Sequence, residues 1–124
     1  MHQRRQYERS QSPQFLPVID RYSDQSIGML ADLSPGGLLI MVDEPISVHR
    51  VFQLQIKLPE SVNGSGVLEF GAESVWVESS DQMGVCWVGL QIIDISDYYK
   101  SVVEELVEIW AEQEAAQQNM RLAV

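Results

Sequence analysis

The feature that most constrains the fold is an alternation of apolar and polar residues with a period of two. Within residues 51–58, the apolar side chains of Phe52, Leu54 and Ile56 alternate with polar neighbours. This period is typical of a β-strand with one buried face and one exposed face. Pro59 is expected to end the strand because it has no N–H to donate to a neighbouring strand.

Five further segments have the composition of strands and are bounded by Gly, Pro or other turn-forming residues. They are residues 15–21, 26–33, 37–42, 66–77 and 83–93. Pro17 restricts the first of them to an edge or bulge position. Short strands that follow one another at even spacing predict an antiparallel β-barrel, here with six strands.

The period changes near Asp94. Between Tyr99 and Trp110 the apolar residues recur at helical spacing, and beyond Trp110 this apolar stripe weakens. Asp94, Ser96 and Asp97 offer side chains that can cap a helix N-terminus. The sequence therefore predicts a C-terminal α-helix that begins near Asp97 and covers part of the barrel.

The expected fold class is mainly β, a six-stranded antiparallel barrel with a C-terminal α-helix. With 124 residues, the chain has the length of one domain. Within it we expect a flexible arginine-rich arm over residues 1–13, the barrel over residues 14–95, and the helix and its tail over residues 96–124.

The charge distribution is uneven. The net charge is −10, and residues 1–13 carry three Arg against one Glu, which leaves −12 on the remainder. Nucleic-acid binding depends on the neutralisation of many phosphates by Lys and Arg, so an acidic body disfavours a nucleic-acid partner. Three clustered Arg side chains can still hold one small anion. The pattern favours a nucleotide over a polymer.

Composition also bears on the compartment. No apolar run approaches the ~20 residues that span a bilayer, and the N-terminus has no secretory signal, so no membrane insertion is expected. The single cysteine, Cys86, has no partner for an internal disulfide. These features predict a cytoplasmic protein. His2 and His49 are isolated from other metal-ligating residues, so no metal and no cofactor are expected.

Two short motifs suggest a binding site. Arg4, Arg5 and Arg9 lie within the first nine residues, and the segment 32–37 reads Asp-Leu-Ser-Pro-Gly-Gly. Guanidiniums present planar donors suited to phosphates and to the acceptor edge of guanine. An Asp and a Ser beside a glycine turn can read the donor edge of guanine. Alone, the first motif could be a solvated arm and the second a simple turn.

Taken together, the motifs resemble those of the PilZ domain family. Its members carry an Arg-xxx-Arg arm followed by (Asp/Asn)-x-Ser-x-x-Gly, within a barrel that precedes a C-terminal helix. The matching residues here are Arg5, Arg9, Asp32, Ser34 and Gly37, and the segments 73–77 and 88–94 also fit. The resemblance implies a receptor for the bacterial second messenger cyclic di-GMP.

The resemblance also implies roles for the arginines. Arg5 and Arg9 would donate to guanine acceptors and phosphate oxygens, and Arg4 would add charge or a stacking plane. In the family, an additional Arg before the motif often accompanies two stacked ligand molecules, so either one or two cyclic di-GMP molecules are expected here.

The second motif would contact the base. Asp32 would accept from the N1 and N2 donors of guanine, and Ser34 would add a hydrogen bond. Gly36 and Gly37 would allow positive φ and a close approach of the backbone to the ligand. Trp76 has two interpretations: a barrel side chain within the apolar run 75–77, or a surface on which guanine stacks.

The arm is expected to act as a switch. Ordering six residues costs roughly 6–12 kcal/mol of backbone entropy. Three charge-assisted contacts return about 1.5–3 kcal/mol each. Because these values nearly cancel, the arm should close only on the ligand and so transmit the signal to an effector protein that the sequence does not identify.

The leading hypothesis is therefore a stand-alone cyclic di-GMP receptor that is not an enzyme, since no plausible nucleophile–base pair or P-loop is visible. The alternative is a ligand-independent PilZ-like interaction module of pilus or motility machinery. A small nucleic-acid-binding barrel is disfavoured by the net charge.

Overall fold

A computed structural model describes residues 10–80 and 84–122 of the chain. They form six β-strands and one α-helix: β1 (Ser10–Asp20), β2 (Gln25–Ser34), β3 (Gly37–Val42), β4 (Val51–Val62), β5 (Ser65–Ser80), β6 (Val85–Asp94) and α1 (Asp97–Leu122). The strands close into an antiparallel barrel in the order β1-β2-β3-β6-β5-β4. The predicted six-stranded antiparallel barrel with a C-terminal helix is confirmed.

The alternation in β4 has the predicted result. Phe52, Leu54 and Ile56 point into the barrel and are at most 4% exposed. The strand does not end at Pro59, as the sequence predicted, but continues to Val62. The pairing between β4 and β5 shifts register between Lys57 and Val62. Pro59 lies within this irregularity, where no regular ladder hydrogen bond requires its missing N–H.

The barrel closes along a short seam between β1 and β4. Ile19 pairs with Gln55, Asp20 pairs with Leu54, and the N–H of Arg21 extends the seam by donating to the carbonyl of Gln53 at 2.8 Å. Pro17 pairs with Met29 of β2 and precedes the seam. The predicted edge position of this proline agrees with that arrangement.

The helix begins where the capping chemistry predicted. The hydroxyl of Ser96 accepts a hydrogen bond from the N–H of Tyr99 at 3.1 Å, as an N-cap residue does. The apolar stripe of α1 is buried against the barrel, and its most buried members are Val102, Val103, Leu106, Val107 and Trp110. The helix extends to Leu122, well past Trp110, where the apolar stripe weakens.

One end of the barrel lies under the helix. The β2–β3 and β4–β5 turns are both at this end, which we call the helix end. Here the hydroxyl of Tyr98 donates to the carbonyl of Asn63 in the β4–β5 turn at 2.9 Å. The β1–β2 turn and the β3–β4 loop are at the opposite end, which we call the open end.

The first strand begins earlier than the sequence suggested. Residues 10–13 belong to β1, whereas the expected arm extended to Pro13. At the other boundary, β6 ends at Asp94, next to the expected limit of the barrel.

Among the described residues, no helix combines the length and the hydropathy that crossing a bilayer would require.

Candidate functional site

The β2–β3 turn at the helix end is stabilised by hydrogen bonds of Ser34. Its hydroxyl is buried, accepts from the N–H of Gly37 at 3.2 Å and donates to the carbonyl of Gly37 at 3.3 Å. Pro35 and Gly36 are the two residues between the strands. The Ser34 side chain therefore stabilises the tight turn itself, as a Ser beside a turn commonly does.

The glycines of this turn do not have the positive φ that was predicted. The described glycines with positive φ are Gly64 and Gly84, so neither Gly36 nor Gly37 uses the left-handed region. Gly37 is needed for close packing within the barrel, because a Cβ at this position would lie 2.4 Å from the carbonyl oxygen of Leu90. The backbone of β3 at Gly37 therefore lies very close to the backbone of β6.

Four residues form a row across neighbouring strands just beyond this turn. Asp32 of β2 pairs with Leu39 of β3, Leu39 pairs with Gly89 of β6, and Gly89 pairs with Trp76 of β5. Directly paired residues point to the same face of a sheet. Two of the predicted site residues, Asp32 and Trp76, therefore both point to the outside of the closed barrel, at the two ends of a row that curves around it. We call the outer surface along this row the Asp32–Trp76 face.

A β-bulge determines the position of Trp76. The register of β5 against β6 shifts between Ser74 and Trp76, so Val75 is the extra residue. Ser74 is fully buried, whereas Trp76 is 43% exposed. The indole lies over Gly89, where a Cβ would be only 2.2 Å from Nε1. Trp76 is therefore a flat surface side chain that covers Gly89.

The distance between the two ends of the row leaves room for a ligand. Three strand spacings separate Asp32 from Trp76, which is about 14 Å along the curved surface of the barrel. Between them lie the half-buried Leu39 and the side-chain-free Gly89. The surface thus has an apolar floor, an aromatic ring at one end and a carboxylate at the other.

The Asp32–Trp76 face has no positive charge of its own. The adjacent row contains Ser34, Gly37, Gln91 and Glu73. Both rows together provide two carboxylates and no Lys or Arg. A phosphorylated ligand on this face would therefore need cations from another part of the chain.

The N-terminal segment enters the barrel beside this face. Ser10 pairs with Leu33, and Gln11 pairs with Asp32. Arg4, Arg5 and Arg9 lie outside the described residues. Since a chain extends by at most ~3.6 Å per residue, the Cα of Arg9 is one step from Ser10 and that of Arg5 is within about 18 Å of it. The length of the chain would therefore allow all three arginines to approach Asp32.

The sequence also predicts that Cys86, Trp87 and Trp110 pack in the core and that Arg21 lies on the surface. Cys86 is buried, as expected, and Trp110 is part of the core. Trp87 was expected in the core, but it is half-buried and faces outward because its neighbours Cys86 and Val88 point inward. Arg21 has the predicted surface position, 3.7 Å from Glu69. Within residues 10–80 and 84–122, no cluster of three His, Cys, Asp or Glu side chains could hold a metal ion.

Sequence reasoning did not identify Ser74 as an anchor of the β3–β4 loop. Its hydroxyl donates to the carbonyl of Ser47 at 2.7 Å and accepts from the N–H of Arg50 at 3.0 Å. The carbonyl of Ser74 accepts from the N–H of His49 at 2.6 Å. His49 has a positive φ of 64°, a conformation that is uncommon for a non-Gly residue. No local sequence signal joins positions so far apart in the chain.

Several solved structures are similar to this chain and share its fold. A Bacillus subtilis inhibitor of motility (MotI/DgrA) aligns with a TM-score of 0.71 and 17% identity over 93% of this chain and 53% of its own. The PilZ domain of Escherichia coli YcgR with c-di-GMP gives 0.70 and 17% over 94% of this chain and 98% of its own. A K. pneumonia MrkH–c-di-GMP complex gives 0.68 and 14% over 94% and 56%.

The chain spans about half the length of the first and third of these proteins. A comparison with curated protein sequences gave no significant match. The family model described as "PilZ domain" matches residues 3–108, which include the arginines of the N-terminal segment, all six strands and the first half of α1. The chain belongs to the PilZ domain family.

Proposed function

We propose that this chain binds cyclic di-GMP on the Asp32–Trp76 face and is not an enzyme. The observation that carries the proposal is the entry of the N-terminal segment beside Asp32, through the pairing of Ser10 with Leu33. This pairing attaches an arginine-rich segment to a face that lacks cations. Two similar structures, of YcgR and MrkH, contain c-di-GMP.

The contacts follow from the chemistry of the ligand. Arg4, Arg5 and Arg9 donate to phosphate oxygens and to the acceptors O6 and N7 of guanine. Asp32 accepts from N1–H and N2–H of a guanine. Trp76 provides a ring on which a second base stacks, which is worth about 1–3 kcal/mol.

The turn residues contribute differently from these side chains. Ser34, Gly36 and Gly37 hold the backbone of the turn close to Asp32, and the Ser34 hydroxyl turns to the ligand only if it leaves Gly37. The site therefore depends on the turn for its shape and on Asp32, Trp76 and the arginines for its contacts.

Titration calorimetry tests the proposal. We expect cyclic di-GMP to bind the native chain and to bind Arg5→Ala and Asp32→Ala at least about tenfold more weakly, since each loses a charge-assisted contact. Lys57→Ala, which removes one positive charge from β4, is the matched control and should bind like the native chain. A fitted stoichiometry of two ligands per chain would indicate a stacked pair.

Cyclic di-AMP separates base recognition from simple anion binding. Adenine has no N1–H donor for Asp32, so this ligand should bind weakly to the native chain, and Asp32→Ala should not weaken it further. Equal affinity for both dinucleotides would contradict the role given to Asp32. Absence of any cyclic di-GMP binding would favour a ligand-independent interaction module.

Closure of the part of the arm that precedes β1, residues 1–9, is the proposed output to an effector protein. Hydrogen exchange checks it: amides of residues 4–9 should exchange fast in the free protein and slowly at saturating ligand. Equal protection in both states would contradict a switch while leaving ligand binding itself intact.

A further inference from the structure

The open end of the barrel carries a cleft that the proposed function does not use. Its volume is about 700 Å³, and it lies between the β1–β2 hairpin and the β3–β4 loop. The Ser34–Gly37 turn is at the opposite end of the same strands. A molecule in this cleft would therefore not compete for the Asp32–Trp76 face.

Part of the cleft wall is apolar and adaptable. Ile27 and Met29 of β2, Met41 of β3 and Ile46 of the β3–β4 loop line it, and all four are half-buried. Methionine is unbranched and polarisable, so it adjusts to side chains of different shapes. These four side chains form an apolar patch for aliphatic side chains of a partner, beside polar lining residues such as Gln25 and Ser26.

The rim of the cleft is acidic. Asp20, Asp43 and Glu44 contribute three carboxylates. The guanidinium of Arg50, which also lines the cleft, is stacked on the ring of Phe52 with its Cζ 4.8 Å from the centroid. Since the rim has an excess of negative charge, it favours cationic side chains of a partner and repels acidic ones.

One wall of the cleft is held in place before any partner arrives. The β3–β4 loop, residues 43–50, is anchored to β5 by the hydrogen bonds of Ser74 with Ser47, His49 and Arg50. A preformed wall lowers the entropy cost of binding.

We propose that this cleft is a docking surface for a basic, apolar segment of a partner protein, with arginine or lysine at the rim and aliphatic side chains inside. The proposal goes beyond ligand binding and does not rest on it. It adds a place at which the signal could reach an effector, at the end of the barrel remote from the dinucleotide.

The test uses a short fluorescent peptide of alternating leucine and arginine, without any dinucleotide present. We expect it to bind the native chain in an anisotropy titration and to shift the methyl signals of Ile27, Met41 and Ile46 in NMR spectra. Peptides with glutamate in place of arginine, or with serine in place of leucine, should bind at least about tenfold more weakly.

Matched variants locate the binding. Asp43→Lys with Glu44→Lys should weaken the peptide about tenfold or more. Glu104→Lys with Glu108→Lys makes the same charge change on the exposed face of α1 and should change the affinity by less than about twofold. Equal losses in the two variants, methyl shifts confined to α1, or no binding would each overturn the proposal. Calorimetry with cyclic di-GMP is run on the same variants. It distinguishes a failure of peptide docking from a failure of the proposed ligand site.

Discussion

At the scale of single residues, two glycines fix the geometry of the candidate site for different reasons. Gly89 leaves space on the outer face, which the indole of Trp76 occupies. Gly37 leaves space between two strands, which the backbone of Leu90 occupies. A side chain can move away from an added methyl group, whereas a paired strand cannot. The two positions should therefore respond differently to substitution.

Gly89→Ala should displace Trp76 with a modest loss of stability. The new Cβ would lie 2.2 Å from the indole Nε1, but the indole is 43% exposed and can swing outward. We expect the free energy of unfolding to fall by about 1 kcal/mol, with easier acrylamide quenching of Trp76 fluorescence. Trp76→Phe supplies the background from Trp87 and Trp110. Unchanged quenching would show that the indole does not depend on Gly89.

Gly37→Ala should be the more damaging change. Its Cβ would lie 2.4 Å from the Leu90 carbonyl oxygen, which belongs to the β3–β6 ladder and has little freedom to move. We expect a loss of about 1–3 kcal/mol in chemical denaturation. Gly66→Ala is the control, because its new Cβ would meet nothing within 4 Å. Its free energy of unfolding should be unchanged or slightly higher than that of the native chain. If both variants were equally stable, Gly37 would have no packing role.

At the scale of elements, the bulge in β5 links two parts of the surface. It turns Trp76 outward and leaves Ser74 fully buried, where the hydroxyl of Ser74 bonds the β3–β4 loop. The loop has no ladder of its own, so this anchor determines its path. The position of the open-end cleft therefore depends on the hydrogen bonds that the hydroxyl and the backbone of Ser74 make with this loop.

Ser74→Ala should loosen the β3–β4 loop. The carbonyl of Ser47 would lose a donor and the N–H of Arg50 an acceptor, which costs about 1–3 kcal/mol where the groups stay buried. Faster hydrogen exchange at Arg50 should accompany the loss. Ser79→Ala, on the exposed part of the same strand, should change stability by less than about 0.5 kcal/mol. Unaltered exchange at Arg50 would mean that the loop is held by other contacts.

The sequence predicted the elements better than it predicted the irregularities between them. Period-two alternation identified the strand around Phe52 and Ile56, because successive side chains of a strand lie on opposite faces and the apolar ones mark the buried face. The bulge beside Val75 was not predictable, since the apolar run 75–77 fits either face. Pro59 was taken as a strand end because the register shift that accommodates it depends on pairing with β5.

At the scale of the whole molecule, the site could be predicted only in part. Asp32 and Trp76 were singled out by residue type, but their common row depends on the strand order β2-β3-β6-β5, which no local pattern contains. The open-end cleft was missed for the same reason, because its walls come from segments separated along the chain. The net charge, in contrast, could be predicted in full, because it follows from composition alone. It affects the stability of the entire fold.

The acidic body should make stability depend on salt, and Glu108 offers a direct test. Glu104, Glu108 and Glu112 are exposed on one face of α1 at i, i+4 spacing. Glu108→Lys replaces two repulsive pairs with two attractive ones, each worth about 0.2–0.5 kcal/mol, so we expect a gain of about 1 kcal/mol in low-salt denaturation. Glu108→Gln should give roughly half of that gain, because it only removes the repulsion. In about 1 M NaCl the Debye length falls to ~3 Å and the gain should largely vanish. A gain that persists in high salt would instead indicate a packing or propensity effect at this position.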